Sequence, residues 1–193
     1  FGGLGVVLVL ALLGWGGTLL PMYAADMLRL GPYKLGLLRG MPAFGAVLVG
    51  VLLASLPEMR RCGRKLFLAL FVFGVSIVVF GLSTNFWISM AALFIYGAAD
   101  MVSVNIRLSL IQIATPDHLR GRVSAVNGIF ISSSNEMGDV RAGSAAALFG
   151  PVTAVVMGGV MAIGIALGGA MIFAKLRGLN KVNDAAPIAP DQQ

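Results

Sequence analysis

Apolar residues form six long stretches along the chain, and short clusters of charged or turn-forming residues separate them. Each stretch is close to the roughly 20 residues that an α-helix needs to cross the hydrocarbon core of a bilayer. The pattern therefore predicts an all-α integral membrane protein with six transmembrane helices. These occupy residues 2–21, 35–56, 66–83, 86–106, 123–149 and 152–174, so that residues 1–174 form one transmembrane bundle.

Composition indicates the same environment. Of the 193 residues, 58% are hydrophobic and 11% are charged, whereas a soluble domain carries about 25% charged residues. The formal net charge of +6 is explained first by the Lys- and Arg-rich cytoplasmic loops of a membrane protein, not by a nucleic-acid partner. We therefore expect the lipid bilayer as a partner and no nucleic acid.

The cations lie mainly on one side of the predicted bundle. The turns at residues 84–85 and 150–151 carry no charge. The connections at the opposite side of the membrane, which follow the second and fourth predicted spans, are basic, and so is the tail. By the positive-inside rule, this basic side is cytoplasmic, which predicts a multi-pass protein of the plasma (inner) membrane with both termini of this segment in the cytoplasm. Residues 175–193 are polar and are expected to form a disordered cytoplasmic tail. The basic side carries Arg60, Arg61, Arg64, Lys65, Arg107, Arg120, Arg122, Lys175, Arg177 and Lys181.

The fifth predicted span differs from the others because polar residues occupy about half of its circumference. A charge at the centre of a bilayer costs about 3 kcal/mol or more, so this half is expected to face a cavity or paired side chains. At about 1.5 Å per residue, Glu136 lies near mid-membrane, with Asp139 and Arg141 further toward the outside. The polar residues are Asn127, Ser132, Ser134, Asn135, Glu136, Asp139 and Arg141.

Two further charged positions occur within predicted spans. Asp100, Ser103 and Arg107 recur at i, i+3 and i+7 and share one face of the fourth span. Asp100 is a second candidate intramembrane carboxylate, or it pairs with a neighbouring helix or a backbone amide. Arg39 lies just over one turn into the second span, where its side chain either faces a cavity or extends back to the membrane interface.

The connection before the fifth span carries a recognisable loop sequence. Thr115, followed by a proline and an aspartate, first predicts a helix start with Thr115 as N-cap. The stretch also resembles the Pro-Asp/Glu-x-x-Arg-Gly-Arg loop of the major facilitator superfamily, which lies on the cytoplasmic side before the fifth helix of a half. The residues that carry this resemblance are Pro116, Asp117, Arg120, Gly121 and Arg122.

Two other segments carry the same resemblance. Arg61, Gly63 and Arg64 belong to a segment similar to the degenerate second copy of the superfamily's Gly-x-x-x-Asp-Arg-x-Gly-Arg-Lys signature, although Leu56 replaces the first Gly and Arg60 the Asp. Residues 35–42 and 135–143 resemble the branch of enterobactin-type siderophore exporters and transmembrane secretion effectors. The resemblance implies the C-terminal half of such a transporter, helices 7 to 12.

The resemblance also implies a function. In such transporters, two six-helix halves would rock about a binding site at the membrane midplane. The resemblance therefore implies that the missing N-terminal half is a partner and that the substrate is a small molecule. The implied activity is secondary active efflux, as a proton antiporter, of a siderophore, drug or metabolite. Our hypothesis is that Glu136 or Asp139 couples protons or contacts substrate, while Arg39 and Arg141 attract anionic groups; Asp100 and Asn135 are further cavity candidates.

Other function classes find less support in the residues. His118 is the only histidine and lies in a predicted loop, and no His-Glu-x-x-His motif occurs, so we expect no enzyme, no metal site and no cofactor. A non-transporting membrane scaffold or receptor with a transporter-like fold remains an alternative. A truncated fragment that is inactive without its missing half is another.

Overall fold

The structure, a computed structural model, describes residues 32–55 and 62–172, and within these ranges every long element is a helix. The predicted span at residues 2–21, the predicted tail and Arg61 lie outside the described residues. A short 3₁₀-helix, Asp117–Leu119, precedes the fourth helix. The helices are α1 (Pro32–Ser55), α2 (Cys62–Leu82), α3 (Phe86–Ala114), α4 (Arg120–Phe149) and α5 (Pro151–Ile172).

Two tight turns join consecutive helices at the same end of the bundle. Before α3, the Asn85 Oδ1 atom accepts a hydrogen bond from the Trp87 N–H at 3.0 Å, which caps the helix. After α4, Gly150 has a φ of 86°, and its N–H donates to the Ala146 carbonyl at 2.9 Å. Pro151 then begins α5, where its missing N–H costs no helical hydrogen bond. We call this end of the bundle the turn end, and the opposite end the loop end.

The connection from α3 to α4 corrects one sequence prediction. Thr115 does not cap the following helix; it is the C-cap of α3, and its Oγ1 donates to the Ile111 carbonyl at 2.6 Å. Its extended backbone (φ −107°, ψ 125°) is the conformation that a following proline favours. The fourth helix begins only at Arg120, after Leu119, which makes no side-chain capping bond.

The helices pack in the order α1, α3, α2, α5 and α4, each against the next. Their shared core lies at the turn end, because it uses the first residues of α1, α3 and α5 and the last residues of α2 and α4. Every one of the five described helices contributes to it. The core residues are Leu38, Ile77, Phe80, Ala92, Leu93, Ala142, Ala146, Ala154 and Val155.

Glycines permit two close helix crossings. Where α1 meets α3, a Cβ atom on Gly97 would overlap the Pro42 carbonyl oxygen and lie 2.6 Å from the carbonyl carbon. Where α2 meets α5, a Cβ on either Gly74 or Gly159 would lie 3.0 Å from the other's carbonyl oxygen. Small residues at helix interfaces let backbones approach in this way inside membranes.

Four described helices are long and apolar enough to cross a membrane: Tyr33–Ser55, Gly63–Leu82, Phe86–Ser109 and Pro151–Gly169. The 30-residue helix α4 is also long enough, but its polar and charged residues set it apart. The described residues thus form an all-α fold with several helices suited to a membrane. The count of six membrane spans, which includes α4 and residues 2–21, stays a prediction.

Candidate functional site

Helix α4 packs on its neighbours along one narrow stripe near the turn end. Gly138, Ala142 and Ala146 are buried on this stripe, and α4 packs chiefly against α5. From residue 120 to residue 137, by contrast, most of the described side chains of α4 are exposed. Among the described helices, α4 is therefore attached mainly near the turn end, and most of the surface before residue 138 makes no contact with them.

The charged residues of α4 point in different directions. Glu136 and Asn135 are exposed, whereas Asp139 and Arg141 are half-buried. At 100° per residue, Asp139 and Arg141 lie about 160° apart around the helix, on opposite edges of the packed stripe. Arg141 is therefore not placed as the charge partner of Asp139. Glu136 lies about 60° from Asp139 and faces away from α5.

Arg141 contacts the neighbouring helix. Its Nη1 atom donates to the thioether Sδ of Met161 on α5 at 3.4 Å. The guanidinium thus lies along the junction between α4 and α5. Of the two carboxylates, Glu136 is exposed on the side of α4 away from the packed stripe, whereas Asp139, like Arg141, is half-buried at an edge of that stripe.

Helix α3 carries the second group of charged residues. Asp100 and Arg107 are half-buried, and Ser103 between them is 1% exposed. The Arg107 Nε donates to the Ser103 carbonyl at 3.3 Å, so the arginine folds back along α3 in the direction of Asp100. Tyr96, one turn before Asp100, stacks on Phe73 of α2 with ring centroids 4.6 Å apart.

The predicted residues do not form one cluster. Asp100 and Glu136 each lie about 20 Å from the turn end, but α3 packs on α1 and α2 whereas α4 packs on α5. Arg39, on α1, is exposed and closer to the turn end. Sequence reasoning missed Tyr96; its i−4 spacing from Asp100 was the available signal. Among the described residues, no group of three or more His, Cys, Asp or Glu side chains is placed to hold a metal ion.

The loop motifs lie at the loop end. Gly63 is buried at the start of α2 and Arg64 beside it is exposed. In the α3–α4 connection, the Leu119 N–H donates to the Pro116 carbonyl at 2.9 Å, which closes the 3₁₀ turn that begins at Asp117. The exposed residues that follow are Arg120, Gly121 and Arg122.

Comparisons with known proteins agree with this fold. Residues 7–191 match the family described as "Transmembrane secretion effector". The chain is 31% identical over 156 residues to a Bacillus subtilis (strain 168) protein described as "Uncharacterized MFS-type transporter YvqJ". That alignment covers 80% of this chain and 36% of the relative, so the chain spans about a third of the relative's length. No solved structure matches the chain. The all-α membrane fold and these matches lead to one conclusion: the chain belongs to the transmembrane secretion effector family of major facilitator transporters.

Proposed function

We propose that the full gene product is a secondary active transporter that exports a small molecule by alternating access, in exchange for protons. The described helices belong to its C-terminal half, and a further six-helix half completes the cavity. Both termini of the segment face the cytoplasm in the plasma (inner) membrane, because the loop end carries most of the cations. The single observation that carries the proposal is the pair of carboxylates on α4: Glu136 is exposed on the side away from α5, and Asp139 is half-buried at the edge of the packed stripe.

The position of these carboxylates supports a role in transport. A carboxylate within the membrane is costly and is retained where it faces a water-filled path or a partner. Glu136 is exposed and Asp139 half-buried beside the packed stripe of α4, so both are accessible to a substrate between the two halves. Arg39 is exposed on α1 and supplies a positive charge for an anionic substrate group.

Efflux from cells that express the full gene product tests the proposal. Ethidium, as a cationic dye, and a panel of catecholate and hydroxamate siderophores are loaded, and their loss is followed with and without a protonophore. We expect efflux of at least one compound, and we expect the protonophore to abolish it. Efflux that is indifferent to the protonophore would contradict proton exchange. No efflux of any compound, with the protein verified in the membrane, would favour a non-transporting scaffold.

A matched pair of double variants tests the site. Glu136→Gln with Asp139→Asn neutralises the two α4 carboxylates, and we expect it to abolish efflux without lowering membrane abundance. Asp184→Asn with Asp191→Asn removes the same charge from the predicted tail and is expected to leave efflux unchanged. Full transport by the Glu136→Gln, Asp139→Asn variant would show that neither carboxylate is needed for transport.

A further inference from the structure

Five polar side chains follow one line along α3. Ser89, Tyr96, Asp100, Ser103 and Arg107 fall within about 60° of the helix circumference, at 100° per residue. At about 1.5 Å per residue the line is about 27 Å long, which is most of the thickness of a bilayer core. We call these five residues the polar line.

The polar line lies inside the bundle, not on its surface. Ser89 is 0% exposed and Ser103 is 1% exposed. The line shares its side of α3 with buried apolar residues, among them Ala92 and Ile106. Helix α3 packs on both α1 and α2, and the Tyr96 ring stacks on Phe73 of α2. The two serines are therefore enclosed by protein, whereas Tyr96, Asp100 and Arg107 are half-buried, and the line is separate from the exposed surface of α4.

The charged end of the line is folded inward. An arginine near a helix end normally extends its guanidinium toward the interface. Here the Arg107 Nε donates to the Ser103 carbonyl, one turn back along α3. The guanidinium is thus directed along the polar line, on the face that also carries Asp100.

Two hydroxyls of the line lack hydrogen-bond partners. Among the described residues, neither the Ser89 nor the Ser103 Oγ atom has a hydrogen-bond partner, whereas the buried Ser76 on α2 donates to the Val72 carbonyl at 2.8 Å. A buried hydroxyl is normally satisfied by protein or by water. Ser103 lies between Asp100 and Arg107 in the sequence and on the same face, so its hydroxyl is available to a water or proton beside the carboxylate.

Other titratable groups on the neighbouring helices lie far from the depth of Asp100. On α1 they belong to the first turns, at the turn end, and those on α2 belong to its first turn, at the loop end. In the described parts of these two helices, the residues between carry no charge. The groups are Tyr33, Lys34 and Arg39 on α1, and Cys62, Arg64 and Lys65 on α2.

We infer that Asp100 is the residue that carries the coupling proton, leaving Glu136 and Asp139 to contact the substrate. The Asp100 carboxylate accepts one proton from a hydronium ion, which leaves water, and becomes a neutral carboxylic acid. Release passes the proton back to a water molecule as hydronium, so that only O–H bonds form and break. Arg107, Ser103 and Tyr96 are the polar residues that share the face of α3 with Asp100. That this proton drives transport rests on the proposed function, whereas the binding of a proton by Asp100 is independent of it.

Infrared difference spectroscopy tests proton binding without any substrate. The full-length protein in lipid vesicles is stepped in pH, and the carbonyl stretching band of a protonated carboxylic acid is recorded. We expect Asp100→Asn to remove the band, Asp100→Glu to retain a shifted band, and Glu136→Gln with Asp139→Asn to leave it in place. A band that survives Asp100→Asn and disappears in the α4 double variant would overturn the inference, as would the absence of any such band in the wild type.

A labelling experiment on the wild-type protein keeps the inference testable if Asp100→Asn does not fold. Dicyclohexylcarbodiimide reacts with protonated carboxyls in apolar surroundings, and mass spectrometry locates the adduct. We expect the adduct on Asp100, with labelling that falls as pH rises. An adduct on Glu136 or Asp139, with none on Asp100, would refute the assignment.

Transport in vesicles separates failure of this inference from failure of the proposed function. With ethidium, or whichever panel compound the wild type exports, we expect Asp100→Asn to lose transport driven by a pH gradient and to keep exchange of labelled for unlabelled compound. Loss of both modes in a folded Asp100→Asn protein would contradict the division of roles. If the wild type transports no compound but keeps the Asp100 band, the proposed function fails while proton binding at Asp100 stands.

Discussion

Replacing Gly97 with alanine tests the α1–α3 crossing directly. The new Cβ would overlap the Pro42 carbonyl oxygen and lie 2.6 Å from the carbonyl carbon and 2.7 Å from the Cα. Carbon atoms in favourable contact are about 3.5–4.0 Å apart, so the two backbones must separate by roughly 1 Å. No flexible side chain is available to move, because all three atoms belong to backbone.

The expected magnitude follows from two opposing terms. Overpacking a helix interface costs about 1–3 kcal/mol, whereas Gly→Ala in a helix interior gains about 1 kcal/mol of helix propensity. Gly164→Ala on α5 supplies the matched control, because nothing lies within 4 Å of the Cβ it would add. Both variants share the propensity term, so the difference between their unfolding free energies isolates the crossing.

The assay is reversible unfolding of the full-length protein in mixed micelles with increasing sodium dodecyl sulfate, followed by circular dichroism. We expect Gly97→Ala to be less stable than Gly164→Ala by about 1–3 kcal/mol. A difference below about 0.5 kcal/mol, the usual scatter of neutral substitutions, would mean that α1 and α3 do not cross this closely.

Three further substitutions are expected to alter stability in the same assay. Asn85→Ala removes the cap of α3 and should lower the unfolding free energy by about 1 kcal/mol, whereas Asn85→Asp should be as stable as the wild type. An equal loss of stability in both variants would show that the side-chain oxygen does not cap the helix. Gly150→Ala should cost about 1–3 kcal/mol, because φ of 86° strains any residue with a Cβ, and a neutral result would argue against this turn. Phe80→Ala, at a fully buried core position, should cost about 3–5 kcal/mol of unfolding free energy. Leu82→Ala, at a position that is 65% exposed, should cost far less. Similar losses of stability in the two variants would show that Phe80 is not in the core.

The helices were largely predictable because each apolar stretch is bounded by turn residues or charges. The fourth predicted span ended at residue 106, whereas α3 continues to Ala114. Arg107 ends the apolar run but does not end a helix, since arginine has high helix propensity. Membrane boundaries and helix boundaries are therefore different properties, and hydropathy reports the first.

The candidate site was predictable only in part. The helical wheel groups the polar residues of α4 on one half as a sequence pattern, but it gives no information on which polar residue contacts a neighbouring helix. Arg141 and Asp139 appear together in that pattern, yet Arg141 donates to Met161 of α5. The buried hydroxyls of Ser89 and Ser103 could not be predicted either, since their burial depends on how α3 packs on α1 and α2.

The one-ended attachment of α4 has a mechanical consequence. Its 30 residues extend about 45 Å, and Ala142 and Ala146 fix only the turn end in the shared core. Relative to the other described helices, α4 can pivot near these two alanines. The arm from these alanines to Arg120 is about 36 Å long, so a rotation of about 10° there would move its far end by about 6 Å. A small change in the packing around these alanines would thus displace Arg120, at the other end of α4, by a distance comparable with the width of a small organic molecule.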